Sequence, residues 1–186
     1  QIYIRGGAPI QNKIMIDGMT IFNPFHSIGI FSVFETEAIK TIDVNSAGFN
    51  VEHGGRVSAV VDIKTKEGNK KRISGVVGVS PFNAKAVLEG PIVPLKEDKA
   101  FSASYLLSFK KSLLEKTSKT LYSYAYEDGL PFALTDYYGK LNFSLDNGSK
   151  IDLFGFNFND DVNYTSTTKF KWVNSGGGIN FVLNPA

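Results

Sequence analysis

Few side chains in this sequence stand in an arrangement that would do chemistry. Glu52 and His53 are adjacent, a carboxylate beside an imidazole, which is the pairing that general acid–base catalysis uses. No nucleophile or second carboxylate follows at a recognisable spacing, so the pair predicts no reaction. Gly54-Gly55, next in the chain, would cradle a phosphate only between a strand and a helix, and no such context follows. Asp17 offers another carboxylate, but Asp before Gly18 is the composition of a tight turn with positive φ. His26 lies in an aromatic loop, where it would either meet a ligand or pack. The chain has no cysteine, which excludes a thiol nucleophile, a disulfide scaffold and a Cys-ligated zinc, and its 2 histidines are too few for a histidine-rich metal site. The expectation is a non-enzyme with no catalytic residues, no metal and no cofactor.

The elements that position these residues are mostly strands. Of 186 residues 42% are hydrophobic and 20% charged, which excludes a disordered tail. A net charge of +2 gives no warrant for nucleic-acid binding, which wants basic residues massed on one face. Aromatics at 13% together with 18 glycines favour a β-rich protein over a helical one. No apolar run reaches the roughly 18 residues of a membrane-spanning helix. A transmembrane barrel passes that test unseen, because its apolar residues alternate with polar ones.

Residues 1–72 read as short strands joined by glycine turns. Residues 2–5 form a brief strand stopped by Gly6-Gly7, and residues 14–16 and 19–22 pair across Asp17-Gly18. Asn23-Pro24 opens a loop, residues 36–40 make one helical turn, and residues 41–45 and 58–66 are strands. From residue 73 the style changes. Phe101, Tyr105, Leu107 and Phe109 alternate with Ser102, Ser104, Leu106 and Ser108, and Tyr137, Leu141, Phe143 and Leu145 alternate with Lys140, Asn142 and Asp146. Seven strands are expected near 73–80, 84–90, 100–109, 135–145, 150–158, 165–173 and 178–183. Asp146-Asn147-Gly148-Ser149 and Asn174-Ser175-Gly176-Gly177 are the expected tight turns. In residues 150–158, Phe154, Phe156 and Phe158 share a face with Asp152, against the trend of the other strands. Alternation over about ten residues fits a strand crossing a bilayer, and fits a soluble sandwich as well.

Four spaced elements occur in order. They are Ile4-Arg5-Gly6-Gly7, then Met15-Ile16-Asp17-Gly18-Met19, then residues 39–44 (IKTIDV), then residues 52–66, beginning Glu52-His53-Gly54-Gly55-Arg56. Their order resembles the C-terminal part of the plug domain of a TonB-dependent outer-membrane receptor. Phe22-Asn23-Pro24-Phe25-His26, Phe31-Ser32-Val33-Phe34 and Leu88-Glu89-Gly90-Pro91-Ile92 resemble the Bacteroidetes members of that family. The family commonly has Tyr where this chain has His53, a departure that leaves the turns untouched.

The resemblance implies a partial α+β plug domain over 1–69, then over 70–186 the first roughly seven antiparallel strands of a transmembrane β-barrel, the whole mainly β. Because such barrels close with about 22 strands, it implies a portion of a longer receptor. It further implies an outer-membrane location, contact with lipid, nutrient import, and a TonB-type energising protein of the inner membrane as partner, with a SusD-like surface lipoprotein as a further candidate. A receptor-like barrel serving as a scaffold without its own substrate is the alternative. Lys140, Asn142 and Asp152 would face the plug or water, and Phe101, Tyr105, Phe143 and Trp172 the lipid. Arg5, Gly6, Gly7, Asp17, Gly18, Gly54, Gly55 and Arg56 would be structural devices of the plug, the two arginines either paired with carboxylates or solvated. For ligand contact the candidates are Phe22, Asn23, Phe25, His26 and Phe31, whose three phenylalanines would otherwise form plug core. Tyr122, Tyr124 and Tyr126 are a second candidate surface, or part of an extended strand.

Overall fold

The computed structural model describes residues 2–26, 29, 31–46, 48, 51–96, 100–121, 123–124, 129–164 and 168–185. The chain divides into two compact units, Gln1–Lys66 and Glu67–Ala186. It is mainly β, and the one α-helix among the described residues lies in the second unit.

The first unit is a four-stranded sheet in the order β2-β1-β4-β3, built from β1 (Asn12–Ile16), β2 (Met19–Thr20), β3 (Ile39–Asn45) and β4 (Ala59–Thr65). The predicted hairpin joins β1 to β2. Asp17 and Gly18 both have positive φ, at 48° and 86°, which is what a two-residue turn matching the strand twist requires. β1 runs parallel to β4, placing Ile14 beside Val61 and Ile16 beside Ile63. Ile14, Val61 and Ile63 form the core, with Ile2, Ile4, Phe25, Phe34 and Ile39 packed against them. The predicted helical turn is a 3-10 turn over Thr36–Ala38. Residues 2–5 are not a strand. Arg5 and Gly6 take φ of 49° and 73°, and the Gly7 N–H donates to the Ile4 carbonyl at 2.9 Å, so the chain reverses there at once.

The second unit is one six-stranded antiparallel sheet, β5 (Ser74–Val79), β6 (Asn83–Val93), β7 (Phe101–Ser112), β8 (Phe132–Leu145), β9 (Lys150–Tyr164) and β10 (Thr168–Val182), each paired with the next. Helix α1 (Leu114–Leu121) lies in the long connection between β7 and β8. Six strands replace the seven expected, because Asn174-Ser175-Gly176-Gly177 is no turn. Gly176 pairs with Phe156 and Gly177 with Gly155 inside a continuous β10. Turn-forming composition yields here to the hydrogen bonds that β9 supplies. The Asp146-Asn147-Gly148 turn is present, with Gly148 at φ 84° and its N–H donating to the Leu145 carbonyl. Thr165, Ser166 and Thr167, expected as the start of a strand, lie outside the described residues.

Candidate functional site

Because cross-strand partners share a face, the ladder assigns every side chain of the sheet to one of two sides. One side is apolar. From β5 to β10 its rows run Val77–Ala86–Phe109–Tyr137, ending on the polar Asn157 and Ser175, then Gly75–Leu88–Leu107–Gly139–Gly155–Gly177, then Gly90–Tyr105–Leu141–Leu153–Ile179, then Val93–Ala103–Phe143–Ile151–Phe181, and last Phe101–Leu145. Most of these side chains are bare: Val77 is 80% exposed, Leu107 49% and Ile179 57%. Aromatic rings stand at both ends, Phe109 against Tyr137 at 5.1 Å and Phe101 against Phe143 at 6.4 Å. From Phe101 to Phe109 is roughly 27 Å along the strand, or about 20 Å of height at a barrel-like inclination of ~40°. Lys111, Asn159 and Asp161 lie beyond it.

The opposite side carries the charge and is buried over much of β7, β8 and β9, whereas on β10 Phe170 and Trp172 are more than half exposed. Lys110 and Asp136 are cross-strand partners whose ionic groups stand 3.2 Å apart at 8% and 5% exposure. A longer chain of polar contacts begins at Lys140, whose Nζ is 3.6 Å from Asp152. The Asn142 amide donates to the other Asp152 oxygen at 2.6 Å, and the Ser144 hydroxyl donates to Asn142 Oδ1 at 2.7 Å. Lys70 donates to Ser144 Oγ at 2.8 Å and to Glu67 at 2.9 Å, and Lys150 donates to the other Glu67 oxygen at 2.6 Å. Buried charges persist where each has a partner, and this chain supplies one at every step. Burial works against an ionised Glu67, but the hydrogen bonds from Lys150 and Lys70 and their positive charges outweigh it and hold the carboxyl down to about 2.

Lys140, Asn142 and Asp152 are thus together on the charged side, and Phe101, Tyr105 and Phe143 on the apolar one. Trp172 is not with them. It pairs with Asp160 and so stands on the charged side, because the continuous β10 sets its register. Phe154, Phe156 and Phe158 also lie there, all buried, with the last two rings stacked at 4.9 Å. Sequence reasoning missed Glu67, Lys70 and Lys150. The only local signal was that Lys150, one residue past a turn, sits on the face of Asp152.

In the first unit, Phe22, Asn23, Phe25 and His26 line one pocket of about 270 Å³ with Ile2, Pro9, Ile10, Ile14, Pro24 and Gly29. Phe22 is 80% exposed, whereas His26 is buried and Phe25 packs on the core. Phe31 is not part of the lining, although its carbonyl accepts the His26 N–H at 3.0 Å. Asp17 is buried as a brace, its carboxylate bonded to Thr65. Gly7 is required by space, since a Cβ there would come 2.2 Å from Ser58 Oγ. Gly55 has φ 89°, Gly54 meets no such constraint, and the chain continues into β4 rather than a helix. Arg5 and Arg56 are exposed, and no ion pair is seen for either among the described residues. Glu52 and His53 lie in a 3-10 turn over Val51–His53. Tyr124 is exposed, and Tyr122 and Tyr126 lie outside the described residues.

No protein-family model matches the chain, and no curated protein matches it. Among solved structures it is similar to the siderophore receptor PirA from Pseudomonas aeruginosa, with a TM-score of 0.45 and 19% identity over 98% of this chain. The chain spans about a third of that receptor's length, 36%.

Proposed function

We propose that this chain is part of a TonB-dependent receptor of the Bacteroidetes type in the outer membrane, which imports a nutrient and performs no bond chemistry. One observation carries the reading: a six-stranded antiparallel sheet leaves most of its apolar side bare and buries Lys110, Asp136, Lys140, Asp152 and Asp160 on the other. A water-soluble protein does the reverse. Lipid covers such an apolar band between aromatic girdles, and barrels of this kind keep a polar interior. In this reading 1–66 belongs to the plug, bearing the turns at Arg5-Gly6 and Asp17-Gly18. The pocket of Phe22, Asn23, Phe25 and His26 is a contact surface for the ligand, since the exposed ring of Phe22 beside the Asn23 amide suits one. A TonB-type protein energises the import, with a SusD-like lipoprotein as a further candidate partner.

The test is the natural polypeptide extracted from outer membranes with detergent. The expected result is a chain several times longer than this one that migrates faster unboiled than boiled, and whose deletion abolishes uptake of one nutrient. A water-soluble species near 20.4 kDa with no heat shift overturns the reading.

A further inference from the structure

The last bonds of the first unit and the first bonds of the second fall on consecutive residues. Thr65 is held by Asp17, and the Lys66 N–H donates to the Ala38 carbonyl at 2.9 Å. At Glu67 the partners change completely. Its carbonyl accepts the Ser104 hydroxyl at 2.7 Å, and its carboxylate takes Lys150 at 2.6 Å and Lys70 at 2.9 Å. Gly68, at φ 86°, lies so close to β7 that a Cβ would come 2.3 Å from the Tyr105 carbonyl oxygen. The Lys70 side chain reaches Ser144 on β8, and its carbonyl accepts the Leu95 N–H at 2.9 Å. Asn69 Oδ1 accepts the N–H groups of Lys71 and Arg72, closing the segment on itself.

We propose that residues 67–72 are a fixed anchor, bonded to β7, β8 and β9, at which any opening of the first unit stops. Short extended connections usually fray with whichever neighbour opens first. This one carries two lysine–carboxylate bonds, each stronger than a neutral hydrogen bond, and a glycine seated against backbone. It has no slack to share, because no free residue separates Lys66 from Glu67. The anchor does not depend on the import reading; its use as the fixed end of a segment pulled during transport does rest on that reading. A load applied to the first unit would extend the chain up to Lys66 and leave the sheet undisturbed.

The experiment is hydrogen exchange of the natural polypeptide in lipid vesicles under rising urea, with no transport step. Amides of Lys71, Arg72 and Leu95 are expected to keep the protection of β8 and β9 at urea concentrations where β1 and β4 have opened. Opening of these amides together with β4 overturns the proposal. In Glu67→Gln/Lys150→Met the three amides should exchange about tenfold faster or more while β8 and β9 stay unchanged. Unchanged rates at all three also overturn it. Ser104→Ala removes a single bond and should move the same amides in the same direction by less, which covers failure of the double variant to fold. Lys64→Met, on the surface of the first unit near Asp43 and Asp62, should leave all three alone. Loss of import in a variant with a normal exchange pattern would bear on the transport reading alone.

Discussion

The Asp17 carboxylate accepts both polar hydrogens of Thr65, the N–H at 3.1 Å and the Oγ–H at 2.7 Å, from 48 residues away. A turn residue thereby ties the β1–β2 hairpin to the end of β4. The bond matters because both groups are buried. Asp17→Ala would remove both carboxylate acceptors from this buried site and place Ala at positive φ, so it should cost the first unit about 3 kcal/mol. Asp17→Asn keeps one acceptor and tolerates the turn, and should cost about half as much. Urea midpoints for exchange of β1 and β4 amides would read both; equal losses for Ala and Asn would contradict the account.

Gly7 and Ser58 should show strong coupling. A methyl at position 7 collides with Ser58 Cβ and Oγ, while Ser58 Oγ donates to the Ile4 carbonyl at 2.7 Å. Gly7→Ala should therefore destabilise by about 1–3 kcal/mol. In a Ser58→Gly background the same change should cost much less, because the colliding atoms are gone. A double-mutant cycle measures the difference, and additive losses would sink the explanation.

Lys140 and Leu141 are chain neighbours on opposite sides of the sheet. Leu141 sits in the row of Tyr105, midway between the Phe101 and Phe109 rows. Leu141→Arg should cost folding into lipid about 2–4 kcal/mol, the expense of a cation at mid-bilayer. Lys140→Arg keeps a cation beside Asp152 and should cost less than about 1 kcal/mol. Refolding yield into vesicles, scored by the unboiled gel band, separates the two. Equal tolerance would mean that the apolar side does not face lipid.

Glu67 makes the anchor pH-dependent in a defined sense. Its carboxyl is held at about 2 in the fold against 4.5 ordinarily. A lowered value contributes stability that is fully present above about pH 4.5 and is lost as pH falls toward 2. Protection of Lys71 and Arg72 should weaken across that window, and Glu67→Gln should flatten the dependence. Exchange measured between pH 5 and 2.5, corrected for the intrinsic rate, tests it.

Much of the fold was legible because it is encoded locally. Asp17-Gly18 specifies its hairpin with two residues, and the alternation from Phe101 to Phe109 announces a strand with unlike faces. The inner anchor was not legible, since Glu67 acquires its role from Lys150, 83 residues on. No local pattern reveals such a partner. Asn174-Ser175-Gly176-Gly177 misled for the opposite reason: its composition is that of a turn, but the paired edge of β9 satisfies its backbone as strand. Once β10 is continuous, Trp172 falls on the side of Asp160, which the shorter strands concealed. Among the ligand candidates, Phe22, Asn23, Phe25 and His26 were brought together by loop closure, and Phe31 stands outside that lining with its carbonyl accepting the His26 N–H.

The rim of the sheet rises like a staircase. Val79, the last residue of β5, belongs to a row that passes through Ala84, Lys111, Thr135 and Asn159 to Val173. β5 stops at that row, β8 extends beyond it to Phe132, and β9 to Tyr164. The gain is about one residue per strand, roughly 3.3 Å of climb for each ~4.8 Å step sideways. A level rim would then require the strands to lean by about 35°. That is the stagger a sheet needs in order to curl round and meet its own far edge without a seam, so the geometry of closure is already written into six strands.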